Sequence, residues 1–438
     1  VLLHDRVDVI VEAGYRSADA GTFTWDVSSW DSGASWSDFE PTWIRLDGWT
    51  VERVQTRRGR SAANRRHPAG TATVELVWTS PAGVWSFRPT SPVALGQEMR
   101  IRVQPRSLAG SSLGSPLPIY RGAIRKLADH WTPASTDHPA TFRISCQLVD
   151  RMADLGAVNL PELGSPVGLD DLTGARLSRI LTMAGISTKY LRGPFDASLP
   201  AGAVHHQSGT FARNLLDEAQ VAVESETGDF YVDRWGLFAF RQRRGTGSYA
   251  RENVAQLTWA NDATVDAIAP AGEFGTGQDL DDVVNQVSMA RAGGTAYVAG
   301  GPSTDSAIRY GLRTYQRFDL TCRYDADVTY CADYWLGELQ GRTQRIEQIS
   351  ADVNPAMPDD RLVELLDIEL GDKHGLSWTD YDAGAPELEG SAHVQGVEHA
   401  ITATSWTVGV NLWAYADEGL KQAPRAWGTA IWGTDVWG

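Results

Sequence analysis

The sequence predicts a mainly β protein with some α (α+β), in which tandem antiparallel β-barrel or sandwich domains flank a small α+β middle domain. Three observations carry this. Apolar and polar residues alternate with period two in many short stretches. Gly, Pro and Ser clusters punctuate those stretches at turn spacing. Helical spacing is confined to the middle of the chain and to one later segment, which disfavours a parallel α/β sheet.

The first unit, residues 1–158, opens with an apolar strand from Val7 to Val11. A Trp-rich segment, 25–49, follows, with Trp25, Trp30, Trp36, Trp43 and Trp49 separated by Ser, Asp and Gly. That composition suits turns and short strands. Ile44 to Val54 is strand-like. The basic run Arg57, Arg58, Arg60, Arg65 and Arg66 contains Gly59 and ends at Pro68 and Gly70, which predicts a loop. Beyond it Ala72, Val74, Leu76 and Trp78 share one strand face. Met99, Ile101 and Val103 share another, as do Phe142, Ile144, Cys146 and Leu148.

Residues 159–261 change period. Asp170 and Asp171 can cap a helix carrying Leu172, Ala175, Ile180, Leu181 and Ala184, with Gly185 ending it. A second helix is predicted from about Ser208, with Phe211, Leu215, Leu216 and Ala219 inward. A hairpin follows, turning at Asp233-Arg234-Trp235-Gly236.

Residues 262–420 return to β, as a second barrel-like unit. The predicted strands are Val283–Met289, Leu362–Leu370, Ala392–Ile401 and Thr404–Trp413. Val328, Cys331, Trp335 and Leu339 mark the one helix among them. Residues 421–438 repeat Trp-Gly-Thr-x-x; this piece is too short for its own core, so its rings must dock on something, as a strap.

Length and composition set the bounds. The 438 residues suit roughly three domains. With 42% hydrophobic and 21% charged residues the chain is an ordinary globular mixture. Three cysteines without a Cys-x-x-Cys pair argue against a disulfide framework or structural zinc. No apolar run is long enough to span a bilayer, and the start reads as neither a secretion signal nor an anchor. The net charge of −16 argues against stable nucleic-acid binding, although an acidic lumen would repel DNA and let it slide.

Candidate sites are few. The acidic run Asp279, Asp281 and Asp282 lacks the spacing of a calcium loop and reads as a lumen or solvated loop. His205 and His206 are adjacent, so they point apart, and no third zinc ligand is near. Gly110-Ser111-Ser112-Leu113-Gly114 fits the bare Gly-x-Ser-x-Gly spacing, but Pro116 follows where an elbow needs a helix, so no nucleophile elbow is predicted, and Cys146 sits on an apolar face as packing. Gly245-Thr246-Gly247 and Gly275-Thr276-Gly277 read as turns. No catalytic set, metal or cofactor is predicted. Two groups suit partner binding: Arg57, Arg58, Arg60, Arg65 and Arg66, toward an acidic neighbouring subunit, and Trp427, Trp432 and Trp437, as interface anchors.

The order of several short motifs resembles baseplate-hub or minor tail proteins of long-tailed (siphovirus-type) phages, especially those of actinobacteria. In the first unit these are Gly59-Arg60, Gly70 to Leu76, Phe87-Arg88-Pro89, Leu95-Gly96, Met99 to Val103 and Tyr120-Arg121-Gly122. Further on come Thr173 to Arg176, Tyr231-Val232-Asp233 with Trp235-Gly236, Val283-Val284-Asn285 and Tyr310-Gly311. The last are Leu370-Gly371-Asp372 and Val397-Glu398-His399 leading to Trp406. The resemblance implies a virion protein of the tail tip, made in the bacterial host cytoplasm. It implies a homotrimeric ring of pseudo-sixfold barrels, touching a distal tail protein, the tape measure protein and receptor-binding parts, with no enzymatic activity. Two other classes stay in view. A carbohydrate-binding tail adhesin would use the Trp-rich ends as sugar platforms. A cell-wall hydrolase would need a nucleophile, metal set or elbow that the sequence does not offer.

Overall fold

The computed structural model of the chain describes residues 6–15, 41–60, 66–79, 91–135, 138–159, 165–186, 190–192, 200–211, 214–242, 250–261, 267–271, 275–277, 283–340, 345–379, 386–415, 421–422, 426–427 and 430–431. The strands of the first part are β1 (Val7–Tyr15), β2 (Thr42–Arg45), β3 (Thr50–Gly59), β4 (Thr71–Thr79), β5 (Glu98–Pro105), β6 (Leu117–Thr132) and β7 (Thr141–Val149). The middle holds α1 (Arg151–Ala157), α2 (Thr173–Met183), β8 (Leu191–Arg192), α3 (Leu215–Glu224), β9 (Asp229–Val232) and β10 (Phe238–Arg241). Then come β11 (Ala255–Ala260), β12 (Gly275–Gly277), β13 (Gln286–Arg291), β14 (Tyr297–Gly300), α4 (Asp305–Tyr310), β15 (Thr314–Leu320) and α5 (Asp325–Leu339). The last elements are β16 (Arg345–Asp352), α6 (Asp359–Leu366), β17 (Lys373–Thr379), β18 (Pro386–Thr402), β19 (Trp406–Trp413), β20 (Lys421–Gln422), β21 (Ala426–Trp427) and β22 (Ala430–Ile431).

The period-two faces are buried as their alternation requires. Val74, Leu76, Met99, Ile101, Val103, Phe142 and Ile144 all lie in one core, which also takes in Trp259, Leu376, Val397 and Val410 from the last third. That core underlies a single large sheet ordered β12-β16-β19-β18-β3-β4-β7-β6-β5-β1-β2, with β17, β11 and β20 branching from β18. Among the described residues no strand pairing closes this sheet into a barrel, so the expected closed barrels are instead one open, branched sheet. Within this sheet the described strands pair antiparallel except β11 with β17; β13 with β15 and β10 with β8 are parallel pairs in the smaller sheets. A second core, with Leu177, Ile180, Leu215, Phe230 and Phe238, holds α2 and α3 against the β9–β10 hairpin. A third, with Val287, Met289, Leu320, Val328 and Cys331, packs α5 on the sheet β14-β13-β15.

Several expectations are corrected. Leu362–Leu370 was expected as a strand, yet its first half is α6, because Leu362, Leu365 and Leu366 recur at helical spacing and all three are buried. Gly275–Gly277 is not a turn but a strand paired with β16. The second middle helix starts at Leu215 rather than near Ser208, because Asn214 caps it by accepting from the Leu216 N–H at 2.9 Å. Phe211 lies before it, at a φ of 52°. Neither Asp170 nor Asp171 caps α2, whose N-cap is Leu172 with no side-chain hydrogen bond; Asp171 instead receives Arg179 at 2.8 Å.

The longest strand, β18, joins the two ends of the chain. Along one edge it pairs with β19. Along the other it pairs first with β17 and then with β3. Where β17 gives way to β3, the β3 chain must leave the sheet abruptly. Gly59 does this at a φ of 86°, and the Arg60 N–H then donates to the Gln395 carbonyl at 2.8 Å. A Cβ at Gly59 would lie 2.2 Å from that carbonyl oxygen and 2.8 Å from the Gly396 Cα. Gly59→Ala is therefore expected to destabilise the fold by well over about 1 kcal/mol, read as a lower urea midpoint; an unchanged midpoint would show that β3 has another way out of the sheet.

Candidate functional site

The basic run begins in a strand rather than in a loop, while Arg60 and Arg66 lie outside any helix or strand. Arg57 and Arg58 are residues of β3, because both edges of β3 are taken, by β4 and by β18, and only the ladder satisfies their backbone groups. Arg57 is exposed and pairs with Glu398 at 3.0 Å. Arg58 points inward, 3% exposed, and donates to Glu369 at 2.6 Å, itself 7% exposed. Arg60 pairs with Asp229 at the start of β9. Arg66 donates to Glu224 at 2.7 Å and to Asp217 at 2.9 Å, both on α3. The carboxylate partners of these four arginines are thus in the same chain. Arg65, Asp279, Asp281, Asp282, Trp432 and Trp437 lie outside the described residues, as do the segment 16–40 and Gly245-Thr246-Gly247. Trp427 belongs to β21, which pairs with β22.

These contacts belong to a larger buried junction that sequence reasoning did not find. Its centre is the loop between α6 and β17. Glu369 takes Arg58 from β3 on one carboxylate oxygen; the other accepts the Arg234 N–H at 3.3 Å, from the β9–β10 turn. Arg234 reaches on to Asp367. Arg251 donates to Asp367 at 2.7 Å and to Asp372 at 2.6 Å. Beside this, Asp229 receives Arg60 and has Arg241 at 3.5 Å, which in turn faces Glu252 at 3.5 Å. Three stretches distant in sequence are tied by alternating charges: β3, the 229–252 region and the 367–372 loop. Gly371, at a φ of 82°, makes the approach possible, since a Cβ there would fall 1.8 Å from the Arg241 guanidinium.

Electrostatics keeps Glu369 and Asp229 ionised. Burial pushes the Glu369 carboxyl up, but Arg58 and Arg234 outweigh it and hold the group below its ordinary range. Asp229 is likewise lowered, against burial, by Arg60, His67 and Arg241. A carboxylate fixed by two guanidiniums is a poor proton donor or base. Two carboxyls do shift toward neutrality: burial pushes Asp150 up to about 7, and it raises Asp372, within the junction, against the pull of Arg251. The Asp150 oxygens accept from the Gly70 N–H at 2.6 Å and the Met152 N–H at 2.9 Å, capping α1, so its work is structural.

Buried imidazoles form the second part of the site. The Trp259 indole donates to His374 Nδ1 at 3.0 Å, and the Trp406 indole to His399 Nδ1 at 3.3 Å. Burial, then Arg251 and His393, lower His374 to about 3. Burial, then Arg58 and Arg234, lower His399 to about 3. His206, the notional zinc ligand, is buried between Thr173 (3.0 Å) and Thr321 (2.8 Å) and is also lowered to about 3 by burial and Arg176. Thr321 also meets Ser225 Oγ, at 3.2 Å, so this network fastens α2 and α3 to the end of β15. His205 is exposed against Asp170. Burial pushes the Cys146 thiol up to about 12, which keeps it protonated and inert.

Among the described residues no three His, Cys, Asp or Glu side chains come together as a metal site. The cleft lined by Arg60, His67, Glu224, Asp229 and Trp335 has a volume of about 50 Å³, room for water, and a roomier one of about 230 Å³ lies between Val7, Arg45, Trp49, Ile401 and Trp406. Among the described residues no helix is long and apolar enough to cross a membrane.

No protein-family model matches the chain, and no curated protein sequence matches it. Solved structures do resemble it. A tail protein from Neisseria meningitidis MC58 superposes with a TM-score of 0.55 at 10% identity, covering 94% of this chain and 98% of that one. The 43 kDa tail protein of prophage MuSo2 from Shewanella oneidensis gives a TM-score of 0.50 at 9% identity, covering 93% and 98%. At such identities the likeness is one of fold, and it runs along nearly the whole length of all three chains.

Two outcomes follow from the junction. Glu369→Gln leaves Arg58 and Arg234 buried without their shared anion and is expected to cost about 3–5 kcal/mol, seen as a fall in the thermal midpoint; a loss below about 1 kcal/mol would mean the guanidiniums find water. The imidazoles set a pH dependence. His67 at about 4, and His206, His374 and His399 at about 3, are neutral when folded but take up protons below about 6.5 when unfolded. Their contribution is complete above that pH and is lost as pH falls, while Asp150 opposes them by one proton and Asp372, also raised by burial, opposes them in the same sense. Unfolding between pH 6 and 4 should therefore take up on the order of two to three protons net, or about 3–4 kcal/mol per pH unit; a flat urea midpoint across that range would contradict the burial of these rings.

Proposed function

We propose that the chain is a structural, non-enzymatic subunit of a phage tail tip, a baseplate-hub protein of the virion. In this reading it forms a homotrimeric ring that links the tail tube to tip proteins and lets the tape measure protein and DNA pass. Its neighbours are a distal tail protein and receptor-binding parts, and its modules follow the boundaries 1–158, 159–261, 262–420 and 421–438. The observation that carries the reading is the sharing of one fold, end to end, with two tail proteins, one of them from a prophage. The chemistry of the junction agrees with it: Glu369, Asp229, Asp367 and Asp372 are each held by guanidiniums, an arrangement that fixes elements in place.

The mechanism is mechanical. Passage of other molecules demands a wall whose modules keep their relative positions, and buried ion pairs between distant segments serve that end. Purified chain is expected to show the mass of three copies in native mass spectrometry, and to leave the turbidity of purified bacterial cell walls unchanged. A monomer that clears cell walls would replace this reading with that of a hydrolase.

A further inference from the structure

The three cysteines divide into a bystander and a pair. Cys146 lies in the main core with Ile144 and Leu148. Cys322 and Cys331 lie together in the third core, with Val287, Met289 and Val328. Cys322 stands just past the end of β15, and Cys331 sits in the second turn of α5. Both are fully buried. Their thiols point at one atom: the Ser225 carbonyl oxygen accepts from Cys331 Sγ at 3.1 Å and from Cys322 Sγ at 3.6 Å. The two sulfurs are therefore no farther apart than those two lengths laid end to end. Ser225 is the C-cap of α3, and a carbonyl at that position has no partner within its helix. Among the described residues the donors that reach it are these two thiols. Ser225 Oγ meanwhile accepts from the Thr321 N–H at 2.9 Å, so the end of α3 is fastened to the end of β15 through its side chain and to both cysteines through its backbone.

We infer that Cys322 and Cys331 form a redox pair that answers to small-molecule disulfides, with two thiols holding the Ser225 carbonyl in one state and a disulfide releasing it in the other. The exchange balances. One cysteine, as its thiolate, attacks a sulfur of the oxidant; a mixed disulfide forms and one small thiol leaves. The other cysteine, as its thiolate, attacks the protein-side sulfur of that mixed disulfide and displaces the second small thiol. The cysteines give up two electrons and two protons, and the two released thiols carry them away. The consequence for the fold lies in the donors. A disulfide has no proton to offer, so the Ser225 carbonyl is left buried with neither of its partners, which is costly. Oxidation thus ties the end of β15 to α5 inside the third core and weakens the joint between that core and α3. Burial sets the pace: an oxidant reaches these sulfurs only when α5 lifts from its sheet, so the rate follows that opening.

The test treats the full-length chain with oxidised glutathione and reads intact mass and unreduced peptide maps. The chain is expected to lose the mass of two hydrogens and to give one linked peptide pair, Cys322 with Cys331, faster in dilute urea than in water. Cys146→Ser should leave this unchanged, while Cys322→Ser and Cys331→Ser should each abolish the link. Hydrogen exchange reads the coupling: amides of residues 225–228, bonded back to α3, are expected to exchange at least about tenfold faster after oxidation. The reduced chain should recover its slow exchange when the disulfide is reversed with a dithiol. Glutathione adducts on both cysteines without a link, or no reaction in urea just below the unfolding midpoint, would show that the sulfurs do not meet and would overturn the pair. A link that forms while residues 225–228 exchange as before would overturn the release of Ser225.

Discussion

Glu369 is the constraint on which the arrangement depends. A carboxylate with so little access to water is tolerable only when opposite charges surround it, because removing an ion from water costs several kcal/mol that a partial set of partners does not return. Its partners come from β3 and from the β9–β10 turn, while the backbone that carries it is braced by Asp372 and Arg251. None of these segments can withdraw alone without stranding a buried charge. The ends of the chain and its middle are thereby made to fold, and to stay folded, as one body.

Much of the β architecture was legible in the sequence because alternation is a local property. Met99, Ile101 and Val103 announce a strand within five residues, and the structure buries all three. Pairing between distant strands is not local. Nothing near Arg58 indicates that its partner lies 311 residues away, so a dense run of arginines looked like a solvated loop. Among 55 acidic residues, Glu369 and Asp229 carried no mark of their own. The α6 segment was misread because its spacing over eight residues is short enough to pass for a strand, and only burial of Leu362, Leu365 and Leu366 together settles the period. Closure failed as an expectation for a related reason: alternation gives each strand an inside and an outside but says nothing about which edges meet.

The likeness to two tail proteins at 9% and 10% identity fits this division. A core needs apolar residues of suitable volume at the inward positions, and many sequences meet that demand. The polar interior is stricter. Indole donors must face the imidazoles at His374 and His399, and glycine must stand where Gly59 and Gly371 let other groups approach. These positions are few, which is why a whole-chain fold can persist where sequence comparison finds nothing.

The geometry of β18 has a further consequence. Its 17 residues span about 56 Å at ~3.3 Å each. Strands flank it on both edges, with β17 and β3 abutting end to end along one of them. A pull directed along its axis meets those ladders side-on, so many bonds share the strain together and none can be unzipped first. A pull across it would open the ladders one rung at a time. The chain is therefore stiff in tension along a single direction and comparatively compliant at right angles, like a plank along its grain.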